Sequence, residues 1–367
     1  MRGLMQLGLF FMPVHRPDKP WAQALEEDRH AILLAERCGY AEAWMGEHFS
    51  TSAERVPSPL MFLATLIGET STIRFGTGVV NLGHRHPIVV AAEAAQFDQL
   101  SGGRLILGVG PGGLASDGEL FGRPDMAERV RAAAETIDQI IELWTAEPPI
   151  DLDGEFWRAS LADEIWPSHG VGELARPLQQ PHPPMAMAMV SPGGSTAETI
   201  AERGFIPLSA NFVPLDFVEA QWTSYAAKRE ELGRDVDRGI WRVCRNILVT
   251  ESQAQADEIV ADPDGVFAHY FRYLRGVAKM TAFDQSLSDA ELNVEFGVDR
   301  AIESCVIAGD ASHVTDRLIA MADQIGRFGT LVATGHDEDD TGLWARSIAA
   351  LADDVAPTLS QHVDALG

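Results

Sequence analysis

A chain of 367 residues with 46% hydrophobic content can bury a sizeable core, and its length suits two ordinary domains or one large α/β barrel with insertions. A formal net charge of −26 and a pI near 4.7 argue against nucleic acid and anionic membranes as partners, and favour a neutral substrate over an anionic one. The three cysteines, Cys38, Cys244 and Cys305, lie far apart with no C-x-x-C pair, and read as core thiols in a reducing compartment.

The N-terminus, MRGLMQLGLFFMPV, imitates a signal peptide, but its apolar run is short and HRPDKP follows in place of a cleavage site. It reads instead as a first strand, Met5–Phe11, with Met12, Pro13 and His15 opening its loop. No apolar stretch approaches the ~18 residues of a membrane span, so the expected location is cytoplasmic. An amphipathic helix, Trp21–Cys38, closes at Gly39. Strand two, Ala41–Gly46, ends in Glu47-His48-Phe49. A helix over Met61–Glu69 leads to strand three, Ile73–Val80, short and mostly apolar like a strand buried on both faces. Pro87 suits a first helical turn, which needs no backbone N–H. Gly102 and Gly103 then stop that helix before strand four, Arg104–Gly110.

Beyond a long helix, Ala127–Trp144, comes a Pro-rich excursion over about 147–184, in which DGEFWR reads as a small hairpin. Strand five is Met185–Met189, followed by SPGGST and a helix to Arg203. Strand six, Phe205–Ala210, ends at Asn211. A helix, Phe217–Leu232, precedes strand seven, Arg242–Thr250. A second excursion, 252–301, reads as helical and polar and is longer than a crossover needs. Helix Ala311–Gly326, strand eight, Gly329–Gly335, and a last helix, Leu343–Leu359, complete the chain. Eight strand–helix alternations without a flexible linker predict one (β/α)8 TIM barrel domain spanning 1–367, whose site lies at the C-terminal ends of the strands.

Strand ends then define one rim: Phe10 to Pro13, Glu47 and His48, Gly78 to Asn81, His84 and His86, Gly110 to Gly113, Val190 to Ser195, Asn211 and His336. SPGGST precedes a helix whose free N–H groups and dipole favour a phosphate, and it reads equally as an ordinary helix start. Glu47-His48 offers a proton-exchanging imidazole beside a carboxylate, or a structural hydrogen bond. His84-Arg85-His86 with His336-Asp337 suggests a metal site, yet strands one, five and six supply no histidine or carboxylate to complete a shell. The loop Gly108-Val109-Gly110-Pro111-Gly112-Gly113 superficially resembles a dinucleotide fingerprint that its proline spoils. It is thin enough for a flat ring to lie against its backbone.

WMGEHF at 44–49, FGTGVVNLGHRHPIVVAAEAAQFDQLSGGRLILGVGPGGLASD at 75–117 and VSPGGST at 190–196 together resemble the bacterial luciferase-like flavin monooxygenases, in particular their limonene monooxygenase-like branch. The resemblance implies a (β/α)8 barrel binding reduced FMN (FMNH2) from a separate flavin reductase. With O2 as co-substrate, the flavin would form a C4a-(hydro)peroxide that oxygenates a small apolar terpene, ketone or aldehyde. By position it implies Thr77, Gly78 and Val79 against the isoalloxazine, with a non-proline cis peptide at Gly78–Val79, and Asn81 at the flavin edge. Ser191, Gly193, Gly194 and Ser195, with Val190 beside them, would hold the phosphate. His48 and His86 match histidines at the luciferase site, and Glu47 accompanies His48. Gly110 and Pro111 stand where luciferases carry a cysteine and an arginine, and Pro192 where they carry an acid, so phosphate binding would rest on backbone donors. Phe10, Met12, Trp44 and Met189 are candidate lining residues and Phe267–Lys279 a candidate lid. A homodimer through the helices after strands two and three is expected by analogy. Two alternatives keep the fold: hydride transfer with a deazaflavin, and a non-catalytic flavin-binding partner subunit.

Overall fold

Short apolar runs that end in glycine or polar loops become strands because both of their faces can be buried, and here they close on one another. The computed structural model describes residues 4–280, 294–337 and 341–366. Its strands are β1 (Gln6–Phe11), β2 (Glu42–Met45), β3 (Arg74–Thr77), β4 (Leu105–Gly110), β5 (Met185–Met189), β6 (Ile206–Ser209), β7 (Arg242–Val249) and β8 (Thr330–Thr334). All neighbours pair in parallel, and β8 returns to β1 with Gln6 opposite Thr330, so the eight strands form a closed barrel as expected. The helices outside it are α1 (Trp21–Arg37), α2 (Pro59–Ala64), α3 (Pro87–Leu100), α4 (Met126–Thr145), α5 (Ser195–Arg203), α6 (Leu215–Glu231), α7 (Ala311–Ile325) and α8 (Thr341–Ala350).

The barrel interior is packed. Trp44, Ile106, Ala186, Leu208, Cys244 and Val332, each from a different strand, form one cluster. The Trp44 indole fills the space that Gly76 leaves open, since a Cβ there would stand 2.3 Å from its ring. Its Nε1 donates to Glu42 Oε2 at 3.0 Å, and Glu42 pairs with Arg242 at 2.5 Å, so the N-terminal end of the barrel is closed by a buried ion pair. Trp44 is therefore core. Met189 faces the outer layer between strands and helices instead of lining a cavity. Only the opposite, C-terminal end is left to host chemistry.

The first excursion holds the expected hairpin, Ile150–Asp153 against Arg158–Leu161, with GEFW as its turn. Glu135 on α4 fixes that turn by accepting the backbone N–H groups of Glu155 and Trp157, each at 2.8 Å. The second excursion differs from the polar helical segment expected. Helices Gln253–Ala261, Val266–Met280 and Val294–Cys305 are described, while 281–293 lie outside the described residues. The middle helix buries Phe267, Tyr270 and Phe271, so it is amphipathic and docked. A strand absent from the sequence reading, Val306–Gly309, extends the sheet beside β7, with Asn246 opposite Val306. The last helix is also interrupted. A π turn over Leu351–Val355 separates α8 from Ala356–Ala365, because Pro357 brings no N–H to the helical ladder.

Candidate active site

At the end of β2 the chain must turn beneath Met12. A Cβ on Gly46 would stand 1.8 Å from Met12 Sδ, so glycine is required before Glu47. Glu47 is buried and fully engaged: Oε1 accepts the Asn81 N–H at 2.9 Å and Oε2 accepts Arg85 Nη1 at 2.9 Å. Asn81 Nδ2 returns to the Glu47 carbonyl at 2.9 Å. Burial pushes the Glu47 carboxyl up to about 7, although Arg85 and the Asn81 N–H pull it the other way.

His48, next along, faces two carboxylates. Its Nδ1 stands 3.3 Å from Asp117 Oδ2 and its Nε2 3.4 Å from Glu54 Oε2, with the side chain 17% exposed. Burial alone would lower the imidazole, yet the charges of Glu54 and Asp117 hold it above its usual range. Burial would likewise raise the Asp117 carboxyl, but bonds from His48, Ser50 and the Phe49 N–H set it below the usual carboxylate range. Asp117 lies on a short helix, Ala115–Leu120, a stretch to which the sequence reading assigned no element. Glu54 accepts Tyr273 Oη at 2.6 Å, and so ties the docked insertion helix to the histidine.

Beside His48 the ends of β3 and β4 are rich in glycine, with Gly78, Gly108 and Gly110. The Gly78–Val79 peptide is cis, as the family resemblance implied, and Gly78 donates to the Met45 carbonyl at 2.7 Å. Thr77 Oγ1 donates to the Gly108 carbonyl at 2.7 Å, and a Cβ on Gly110 would stand 2.8 Å from Val79 Cγ2. Phe10, Met12, Gly78, Val79 and Pro111 are only partly buried, while Gly112 is buried against His84. Together they form the face of the mouth nearest His48.

After β5, Val190 and Ser191 lead to Gly193 at φ +114° and Gly194 at φ +85°, where α5 begins. Gly194 makes no side-chain cap, and an added Cβ there would meet nothing within 4 Å. The first N–H groups of α5, from Ser195 onward, thus open on exposed space, as an anion cradle needs. Gln221 Nε2 steadies the loop by donating to the Ser191 carbonyl at 2.7 Å.

The far side of the mouth is a neutral network. Asn211 Nδ2 donates to Asn246 Oδ1 at 2.7 Å and to Tyr270 Oη at 2.8 Å, and His336 Nε2 lies 3.0 Å from Asn246 Oδ1. Two hydroxyls, Tyr270 and Tyr273, therefore fasten the insertion helix across the strand ends. That is the segment named from sequence as a lid.

The histidines of the H-x-H pair separate. His86 caps α3 through Nδ1, which accepts the Ile88 N–H at 3.3 Å, and its ring rests 5.0 Å from Trp157. His84 is buried and stacks on Phe121 at 4.9 Å, and burial with the Arg129 charge pushes it down to about 4. Neither joins His336. Among the described residues, the metal-like group is His15, Glu27 and Asp337, where Lys19 Nζ already pairs with both carboxylates. Sequence reasoning missed Asp117, Glu54, Tyr270, Tyr273 and Asn246. For Asp117 a signal existed in the LASD stretch that ends the second family-like segment, whereas the others reach the mouth only through the fold.

A family model for luciferase-like monooxygenases matches residues 5–328. The 4-hydroxyprotoasukamycin monooxygenase of Streptomyces nodosus subsp. asukaensis is 30% identical, covering 98% of this chain and 94% of that protein. Limonene 1,2-monooxygenase of Rhodococcus erythropolis is 28% identical, covering 97% of this chain and 87% of the relative. The oxygenating constituent of 3,6-diketocamphane monooxygenase from Pseudomonas putida, solved in complex with FMN, superimposes with a TM-score of 0.82 at 25% identity, over 96% of this chain and 98% of that one. The fold alone is shared with an F420-dependent secondary alcohol dehydrogenase, at 17% identity, a TM-score of 0.71 and coverage of 97% and 99%. Among the described residues no helix is long and apolar enough to cross a membrane. With a closed parallel barrel, an imidazole between two carboxylates at its open end and a match over most of its length, this chain belongs to the luciferase-like monooxygenase family.

Proposed function

We propose that this chain is the oxygenase half of a two-component system, which uses reduced FMN from a separate reductase and O2 to oxygenate a small apolar organic molecule. The observation that carries the reading is His48, held between Asp117 and Glu54 beside the cis peptide of Gly78 and Val79. The residues present fit the cofactor. Thr77, Gly78, Val79, Gly110, Pro111 and Gly112 offer a thin wall for a flat ring, with Asn81 at its edge. Val190, Ser191, Gly193, Gly194 and Ser195 bring open backbone donors to a phosphate. Bound reduced flavin would supply the two electrons that activate O2, one oxygen atom going to the substrate and the other to water.

The chain's own part is to bind, exclude water and manage a proton. His48 serves as the proton donor and acceptor, its charge state set by Asp117 and Glu54. Glu47 holds the Asn81 loop in place, and His86 orders the start of α3. Phe10 and Met12 give the mouth an apolar side that disfavours water. Exposed Met61, Val89 and Leu100 on α2 and α3 provide the surface for a homodimer.

Anaerobic titration with reduced FMN and with a reduced deazaflavin separates this reading from hydride transfer. Tighter binding of reduced FMN is expected, and a preference for the deazaflavin would transfer the assignment. Ser195→Asp should weaken reduced FMN at least fivefold, because a carboxylate at the cradle repels phosphate by ~1 kcal/mol or more even at water-like screening. Equal affinity would move the phosphate elsewhere. With a turnover substrate, His48→Ala should raise the share of consumed O2 released as hydrogen peroxide. Unchanged coupling would remove His48 from the chemistry, and a chain that binds flavin without consuming O2 would be a partner subunit.

A further inference from the structure

A cavity of about 360 Å3 lies outside the barrel, between α1 and α8, with Phe11 at the end of β1 and His336 after β8 in its wall. Ala31, Leu34 and Ile348 make much of it apolar. Two buried nitrogens of its wall residues, Trp344 Nε1 and His336 Nδ1, have no hydrogen-bond partner among the described residues. Trp344 is 9% exposed and His336 4%. Buried polar atoms are nearly always satisfied, so an orphaned pair on residues of one cavity wall marks a place where a small turn of either ring would meet a ligand or water.

The chemistry of the pair can be worked out. Asn246 Nδ2 donates to the carbonyls of Asn211 and Cys305 at 2.9 and 3.0 Å, so its Oδ1 is an acceptor, and His336 Nε2, 3.0 Å away, must carry the proton. Burial pushes the His336 imidazole down to about 3, so the ring is neutral at pH 7 and Nδ1 is a bare acceptor. The Trp344 indole is a donor only. The two rings stand 5.3 Å apart with 34° between their planes, so the donor and the acceptor belong to neighbouring rings of one wall. A hydroxyl or an amide satisfies both, whereas a ketone or ester satisfies the indole alone. His30 and Arg37 line its exposed rim, and the inner charged cluster is already paired: His15 with Asp28 and Asp337, Lys19 with Glu27 and Asp337. An ion would find no free counter-charge in that cluster.

We propose that this cavity is a second small-molecule site, separate from the barrel mouth, for a neutral compound that carries an alcohol or amide group. Its size admits roughly a dozen water-sized groups. His336 belongs to both places, since its other nitrogen reaches Asn211 at the mouth through Asn246.

Cyclohexanol is the probe, with cyclohexanone as the acceptor-only control. In protein labelled with 15N-tryptophan, eight indole signals are available, and Trp344→Phe identifies the one that matters. Cyclohexanol should shift the Trp344 signal saturably, and cyclohexanone should bind at least fivefold more weakly. Ala31→Leu, which fills the cavity, should weaken cyclohexanol at least tenfold while the other indole signals hold their positions. If that variant does not fold, Ala345→Leu fills the same space from α8. A Trp344 signal that never moves means water alone occupies the cavity and overturns the proposal. So does equal binding of the ketone, an indifferent cavity-filling variant, or a shift confined to Trp44 at the barrel core.

Discussion

Replacing Asp117 by asparagine tests whether charge, beyond geometry, governs His48. The carboxamide oxygen can still accept from His48 Nδ1 at the 3.3 Å now seen, so the perturbation is chiefly the loss of one negative charge. At that separation the Coulomb attraction is ~1.3 kcal/mol at the dielectric of water and ~5 kcal/mol at an effective value of 20. At about 1.4 kcal/mol per unit, the lower figure already moves the imidazole by about one pKa unit. Asp117→Asn should therefore lower the His48 midpoint by at least about one unit, with Glu54, 3.4 Å from Nε2, retaining the rest of the elevation. The assay is an NMR titration of 13C-labelled histidine, with the signal identified by its loss in His48→Asn. Stability must move in step. A raised imidazole contributes stability fully below its ordinary 6.5 and loses it as pH rises through the folded value. The depressed Asp117 carboxyl contributes above its ordinary 3.8 and loses it on acidification. The gap in unfolding free energy between wild type and variant should thus be widest between about pH 4 and 6.5 and narrow on either side. A midpoint that stays or rises, or a gap independent of pH, refutes the account.

Two further outcomes follow from buried and capping groups. Glu36 accepts the N–H groups of Ser71, Thr72 and Ile73 at 2.7, 3.1 and 2.8 Å just before β3; burial opposes these bonds but they hold its carboxyl down at about 2. Glu36→Gln should lower the urea midpoint at pH 7, and the deficit should shrink as pH falls from 4.5 toward 2; a deficit that grows with acid would contradict this cause. Trp44→Ala empties the middle of the barrel and should cost about 3–5 kcal/mol in urea unfolding. A loss under ~1 kcal/mol would mean that the indole is not the piece around which Gly76 and its neighbours are built.

How far the sequence reaches depends on whether an interaction is local. Each barrel strand announces itself, because a few apolar residues are punctuated by glycine, proline or a cap within the same segment. Glu47-His48 and SPGGST sit at strand ends, so their place on the rim follows from strand order alone. What surrounds His48 does not. Asp117 lies 69 residues away in sequence, and Tyr273 lies 219 from the Glu54 it binds. No periodicity encodes such pairings; they exist only once the barrel has closed and the insertion helix has docked. Val306–Gly309 escaped for a related reason: its four residues follow directly on a helix and become a strand only because β7 extends past its barrel neighbours to receive them. The insertion helix was misjudged as polar because its buried residues, Phe267, Tyr270 and Phe271, are spaced among charges, and only the strand ends beneath reveal which face is covered.

Glu47 and His48 illustrate why a displaced carboxyl does not by itself identify a base. Burial lifts Glu47 to about 7, close to where a general base is most effective. Both of its oxygens are nevertheless occupied, one by the Asn81 N–H and one by the Arg85 guanidinium. Taking up a proton would remove the inner of the two carboxylates that hold Arg85, leaving the guanidinium with Glu93 alone, and would undo a contact made at 2.9 Å to a fully buried side chain. It would also loosen the loop that carries Asn81. His48 bears no such burden. Its two partners are carboxylates that gain from its proton, and its ring keeps contact with solvent at the mouth. In the proposed reaction the carboxylate of this adjacent pair fixes the scaffold, and the imidazole is the group free to trade a proton.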